Sequence, residues 1–301
     1  MTAPPAPAPV AAVRSHAPTR PAVTRVIAAA GDIACDPASP DYRGGRGAAD
    51  ACHMRAVARL LGHLDPAVIL TLGDNQYENG ALAKFRRSYD PAWGRLKART
   101  RPAPGNHDYE TDGAAGYFDY FGKAAGSRTR GFYSFDVGAW HLIALNSECV
   151  HVGGCEQGSL QERWLRADLA AHPATCTLAY WHKPRFSFGW HGNNATYDAF
   201  WRALYEAGAD LVLVGHDHDY ERFAPQDPLG FADQARGLRQ FVVGTGGKTH
   251  YGFRKLRRNS QVRNTGTFGV LELTLRPTGY DWRFLPEPGK TFSDRGHGRC
   301  H

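Results

Sequence analysis

The amino-acid sequence predicts an α/β domain whose functional site lies along the carboxyl edge of its strands. From residue 23 onward, short apolar runs alternate with amphipathic segments. Small polar motifs stand immediately after five of those runs, where an open α/β sheet places its ligands. The last quarter of the chain carries strands with no helix between them, which adds an antiparallel portion of α+β character.

Residues 23–30 (VTRVIAAA) read as a buried strand ending in Gly31-Asp32. Residues 50–64 place Met54, Val57, Leu60, Leu61 and Leu64 at helical spacing. Residues 67–72 (AVILTL) form a second strand, ending in Gly73-Asp74. Further strands are expected over 133–137, 140–146, 176–181, 211–215, 239–244, 268–276 and 279–284, and helices over 158–171 and 195–207. No internal repeat or second linker breaks this run, so residues 23–301 are expected to form one domain. Residues 1–22 hold six prolines among alanines and read as a disordered, polyproline-like lead. That lead lacks the charged start and apolar core of a signal peptide. It is expected to be what remains after an export signal has been removed.

The 301 residues are 42% hydrophobic and 12% aromatic, enough for a sizeable core, which excludes a disordered or collagen-like chain. No apolar run reaches the length of about 18 residues that a membrane-spanning helix needs. The net charge is +7, and only seven of the 36 basic residues are lysine. Such a balance suits anionic partners. Yet no basic run is interleaved with regular aromatics, and the strongest cluster, Arg254-Lys255-Leu256-Arg257-Arg258, reads as an arginine-biased surface loop. No nucleic-acid partner is expected.

The five strand-end motifs are Gly31-Asp32, Gly73-Asp74-Asn75-Gln76-Tyr77, Gly105-Asn106-His107-Asp108, Trp181-His182 and Gly215-His216-Asp217-His218. A lone Gly-Asp marks a turn, and a lone histidine is usually a satisfied polar residue. Five in order at strand ends call for a common cause. Two cations at about 3.5–4 Å need a bridging carboxylate, plus oxygen and imidazole ligands in an open shell. Glycine before the ligands lets the backbone turn sharply and approach closely.

This order of motifs resembles the metallophosphoesterase (calcineurin-like) superfamily, and Gly73-Asp74-x-x-Tyr77 resembles its purple acid phosphatase branch, in the small secreted bacterial form. The resemblance runs to the C-terminus and includes Gln161-x-x-Trp164-Leu165, Tyr220-Glu221-Arg222 and Gly244-Thr245-Gly246-Gly247. It implies a four-layer αββα sandwich of two mixed sheets flanked by helices, with a dinuclear metal site at one edge. By position, Asp32, Tyr77 and His218 would hold the first metal, Asp74 would bridge, and Asn106, His182 and His216 would hold the second. A tyrosinate suits iron(III), and the second site suits zinc(II), iron(II) or manganese(II). Nuclease and cyclic-nucleotide phosphodiesterase relatives carry Asp-x-His at the first motif. Here it is Asp32-Ile33-Ala34. Alanine cannot ligate, so Tyr77 fills the vacancy and the nuclease branch is disfavoured.

His107 is followed by Asp108, a pairing suited to a carboxylate-oriented imidazole near the leaving group. His191 stands nine residues after His182, the spacing of a substrate-facing histidine in plant relatives, where a second histidine follows; here Gly192 follows. That change makes room for a diester. Asn106, His107 and His191 are thus the expected substrate contacts, with His107, Asp108 and His191 the catalytic groups. The implied reaction is in-line attack on phosphorus by a metal-bound hydroxide.

The six cysteines allow fifteen pairings, of which Cys35–Cys52, Cys149–Cys155 and Cys176–Cys300 is the expected one. Cys149 and Cys155 flank a short loop, and a bridge to Cys176 would pin a tail too polar to dock alone. No Cys-x-x-Cys spacing supports thiolate ligands. Disulfides imply an exported protein, expected to be a monomer acting on small phosphate mono- or diesters. A phosphodiesterase specific for glycerophosphodiesters, such as glycerophosphoethanolamine, is the alternative. A non-catalytic protein binding anionic surfaces is the alternative of another class.

Overall fold

The computed structural model describes residues 23–254 and 258–301. The proline-rich lead and the centre of the basic cluster, Lys255 to Arg257, lie outside the described residues. Strands β1 (Arg25–Ala30), β2 (Val68–Leu72) and β3 (Thr100–Ala103) are parallel neighbours. A second sheet takes β4 (Tyr133–Val137), β5 (Trp140–Ala144), β6 (Cys176–Tyr180), β7 (Leu211–Val214), β8 (Tyr220–Phe223), β9 (Arg239–Val243) and β10 (Ser260–Asn264). The chain then returns to the first sheet through β11 (Gly269–Arg276), β12 (Gly279–Pro286) and β13 (Arg295–Arg299). The strand orders are β13-β12-β11-β1-β2-β3 and β10-β8-β9-β7-β6-β5-β4. In the second sheet β5, β6, β7 and β9 are parallel while β4, β8 and β10 pair antiparallel, so both sheets are mixed.

Period-two alternation sorts the side chains into layers. On β7, Leu211 and Leu213 join the core between the sheets, whereas Val212 and Val214 join Leu165, Phe200, Trp201 and Leu204 of the helices Leu160–Ala171 and Asp198–Glu206. Trp140 against Tyr280 and Phe241 against Trp282 close the inter-sheet core edge-on, at 5.8 and 5.7 Å. The helix Met54–Leu64 buries Met54, Val57 and Leu61 on the outer face of the first sheet. The result is the four-layer arrangement. Three disulfides join Cys35 to Cys52, Cys149 to Cys155 and Cys176 to Cys300. No helix among the described residues is long and apolar enough to cross a membrane.

Several elements differ from the sequence reading. The first helix begins at Met54 rather than residue 50, because Cys52 and His53 donate their amides to Lys248 and Gly247. β3 contains Pro102, which masks it in sequence but suits the sheet edge that it occupies. The polar tail is a strand: β13 pairs antiparallel with β12. A Cβ at Gly296 or Gly298 would collide with the rings of Trp282 and Tyr280, so glycine lets those aromatics cover the backbone.

At the other edge of the second sheet, buried His141 sits between two carboxylates, 2.9 Å from Asp136 Oδ1 and 2.8 Å from Asp168 Oδ2. Burial opposes its charge, but the carboxylates win and its pKa is raised. Burial likewise opposes the Asp168 charge, and His141 overrides it and lowers that pKa. The histidine's stabilisation is complete below its ordinary 6.5 and fades as pH rises through the raised value; the carboxylate's is complete above 3.8 and fades on acidification. The pair therefore contributes most between those two values. Unfolding in urea from pH 5 to 9 is expected to show stability falling on the alkaline side, and His141→Gln to flatten that slope. An unchanged slope would remove His141 as its source.

Candidate metal centre

The strand ends of both sheets meet along one edge and are stitched there by backbone. Gly31 donates to Val243 and accepts from Gly246, both at 2.8 Å; Asp32 donates to Gly73 at 3.1 Å and Gly215 to His182 at 3.0 Å. The five motifs follow β1, β2, β3, β6 and β7. The sharp turns fall chiefly on the polar residues themselves: Asp32, Asp74 and His216 have φ of 61°, 46° and 70°. Non-glycine residues held there carry strain of about 1–3 kcal/mol each, a feature of functional sites. The glycine of the second motif adds clearance: Gly73 has φ +85°, and a Cβ on it would lie 2.5 Å from the His182 ring.

Each carboxylate spends one oxygen on a backbone amide and presents the other. Asp32 Oδ2 accepts the His216 amide at 2.9 Å, and Asp74 Oδ1 accepts the His107 amide at 2.8 Å. Around the free oxygens, the Tyr77 hydroxyl lies 2.8 Å from Asp32 Oδ1, 3.0 Å from Asp74 Oδ2 and 3.0 Å from His218 Nε2. On the other side, Asp74 Oδ2 lies 3.2 Å from His182 Nε2, which is 3.2 Å from His216 Nδ1. Asp74 is thus common to two donor groups. Outer partners aim two of the imidazoles: His182 Nδ1 donates to the Leu72 carbonyl at 2.8 Å, and His218 Nδ1 meets Thr249 Oγ1 at 2.8 Å. The buried Asn106 Oδ1 has no hydrogen-bond partner, an orphaned acceptor that a cation would satisfy. Shared carboxylate, aimed imidazoles and orphaned amide oxygen together fit a pair of cations.

With no cation bound, these buried groups act on one another. Burial opposes the charge on His182, but the Asp74 carboxylate overrides it and raises the pKa to about 9. Burial and the charge of His182 hold His216 well below its ordinary value. Burial, then the Asp32 and Asp74 carboxylates, push the Tyr77 phenol well above its usual range.

His107 is half-buried; its Nε2 is 4.0 Å from Asp74 Oδ2 and its Nδ1 bonds the Glu78 carbonyl. The expected pairing with Asp108 is absent. Asp108 is fully buried beneath the loop, and its Oδ2 takes the Asn75 side chain at 2.9 Å and the Gly105 amide at 3.0 Å. Burial and the Asp74 charge push its carboxyl up to about 7. It braces the β3 turn, because the helical turn after His107 carries it inward. The carboxylate-oriented imidazole is instead His191: Asp217 Oδ1 accepts both its amide and its Nδ1, each at 2.9 Å, and its ring stacks on His216 at 3.9 Å. The sequence reading missed Asp217, as it did Thr249. Asp217 stands between His216 and His218, which signals only a turn until the loop at residue 191 is folded over it.

A four-layer sandwich with such a cluster at its strand ends defines a metallophosphoesterase. The chain belongs to the calcineurin-like phosphoesterase family, whose pattern matches residues 26–220. Its relatives fall on the purple acid phosphatase-like branch. Purple acid phosphatase 15 of Arabidopsis thaliana is 28% identical over 197 residues, 53% of this chain and 36% of that one. An uncharacterized protein of Mycobacterium tuberculosis (strain H37Rv) is 30% identical over 225 residues, 60% of this chain and 42% of that one. The chain thus spans roughly two fifths of the length of the curated relatives it matches. In fold it is similar to purple acid phosphatase PPD1 from yellow lupin seeds, with a TM-score of 0.72 at 16% identity over 91% of this chain and 54% of that one. GAP50 of Plasmodium, an inner-membrane-complex anchor, shares the fold at a TM-score of 0.61 and 14% identity over 92% of this chain and 88% of that one.

Proposed function

We propose that the protein is a dinuclear metal-dependent hydrolase of small phosphate mono- or diesters. The observation that carries this reading is Asp74 Oδ2, within 3.2 Å of both Tyr77 and His182 and so common to two sets of donors. Asp32, Tyr77 and His218 would hold one cation, Asn106, His182 and His216 the other, and Asp74 both. Bound cations supply Lewis acidity, a nucleophile from water at ordinary pH and charge stabilisation on phosphorus. The remaining work belongs to the chain. Asp217 holds His191 by Nδ1, which leaves Nε2 free to meet the departing oxygen. His107 is the second candidate for the departing oxygen, half-buried, held by the Glu78 carbonyl and packed against the Tyr77 ring at 4.3 Å. Gly192, which has no side chain, follows His191 and would leave space for the second ester of a diester. Three disulfides support an exported protein.

Turnover of p-nitrophenyl phosphate, bis-p-nitrophenyl phosphate and glycerophosphoethanolamine by protein of measured metal content tests the reading. Hydrolysis that chelation abolishes and metal restores is expected; no hydrolysis at two metals per chain would sink it. The same preparation tests the tyrosine. Tyr77 as a ligand of iron(III) predicts a visible tyrosinate charge-transfer band in the iron-loaded protein that Tyr77→Phe loses. A band that survives the substitution would place Tyr77 outside the ligand set.

A further inference from the structure

Beside the metal cluster, the loop over residues 186–193 holds an aromatic that the proposed hydrolysis does not use. Phe186 and Phe188 are buried, but Trp190 is 51% exposed. It is fixed on both sides. The Gly189 amide reaches Ser187 Oγ at 2.9 Å and Glu221 Oε1 at 3.2 Å, and the His191 amide is held by Asp217. A second segment packs against this loop: Phe253 meets Phe188 edge-on at 5.5 Å, and the Arg254 amide donates to the Phe188 carbonyl at 3.2 Å. The Arg254 guanidinium carbon consequently stands 3.4 Å from the centre of the Trp190 ring. Tyr251 completes the wall, stacked on His218 at 4.0 Å and edge-on to His191 at 5.8 Å.

Tyr251 and His191 thus form an aromatic side of the site, and Trp190, the chain neighbour of His191, stands exposed beside it with a cation over its ring. An indole kept rigid and half in water forgoes the burial that such a side chain ordinarily gains. Its position next to His191, on the proposed leaving-group side, supplies a reason. An ordered aromatic face stacks planar rings whatever their hydrogen-bonding edges, and the arginine adds a cation for negative charge nearby. Aliphatic groups such as glycerol gain little there. The geometry points to Trp190 as a platform for the leaving group, selecting phosphoesters that carry a planar ring of nucleobase size over purely aliphatic ones. This specificity role rests on the hydrolase reading above.

Adenosine 5′-monophosphate and ribose 5-phosphate test it, because they share the same scissile bond and leaving oxygen and differ only in the ring. Calorimetric binding to the metal-loaded protein, with kcat/KM where turnover occurs, is measured for the native chain, Trp190→Ala and Trp190→Phe. The nucleotide is expected to bind about tenfold more tightly than the sugar phosphate. The ratio should fall to near one in Trp190→Ala and largely survive in Trp190→Phe. Equal affinities in the native protein, or a ratio that Trp190→Ala leaves intact, would overturn the platform. Nucleotide-selective binding without turnover would retain it and remove the hydrolase reading instead.

Discussion

Asp74→Asn is expected to lower kcat on p-nitrophenyl phosphate by on the order of 10³-fold and to cost the protein at least one of its two cations. The substitution keeps the shape of the side chain and an oxygen for the His107 amide, 2.8 Å away, so the β2 turn has what it needs to form. What it removes is the charge on Oδ2, the atom that faces Tyr77 at 3.0 Å and His182 at 3.2 Å. Two cations at close range repel each other, and a neutral amide cannot offset that repulsion. The substitution also releases His182, whose proton affinity is raised by this carboxylate. Metal analysis and steady-state kinetics on the same preparation give both readouts. Two metals per chain with kcat within tenfold of native would show that Asp74 is not the bridge. Asn106→Ala is the milder comparison, since only one set of donors includes it.

Four of the five strands that build the site, β1, β2, β6 and β7, were legible because they are central. β1, β2 and β7 are buried on both faces, and their unbroken apolar runs end abruptly at the polar residues that matter. Among the edge and antiparallel strands, β4, β11 and β12 were legible too, but β3, β8, β10 and β13 were not. β8 (YERF) and β13 (RGHGR) look like loops in sequence because partners far along the chain satisfy their polarity. Asp294, 8% exposed, accepts from Tyr220 at 2.8 Å, Arg222 at 2.7 Å and Trp282 at 3.2 Å, tying β8 of one sheet to β12 of the other. The same distance in sequence hid the second layer of the site. The distance from Asp74 to His107 follows once both lie at neighbouring strand ends. That Asp217 holds His191, while Asp108 turns away from His107, depends on how two loops fold over each other, and adjacency in sequence misleads there.

Replacing both Cys176 and Cys300 by serine is expected to destabilise the protein by about 5 kcal/mol, against about 3 for the Cys35–Cys52 pair and about 2 for Cys149–Cys155, following the length of chain each bridge closes. Those lengths are 124, 17 and 6 residues. Without the long bridge, β13 still has its ladder to β12, the Asp294 contacts at its start, and His301 against Asp210 at 2.9 Å. The folded state should therefore keep its shape, and the loss should fall on the freed unfolded chain. Because Cys176 opens β6 and His182 lies past its other end, the bridge is on the edge away from the metal centre. The variant should melt roughly 10 °C or more below the native protein, while turnover at 25 °C stays within about twofold of native, well inside the tenfold that 1.4 kcal/mol represents. Reducing agent should bring the native protein and the variant to a common, lower melting point, with the variant's smaller fall coming from the two short bridges alone. A melting point within 3 °C of native would mean that the C-terminal strand is held by its ladder and Asp294 alone; a collapse of turnover at 25 °C would mean that the bridge braces the distant strand ends through β6.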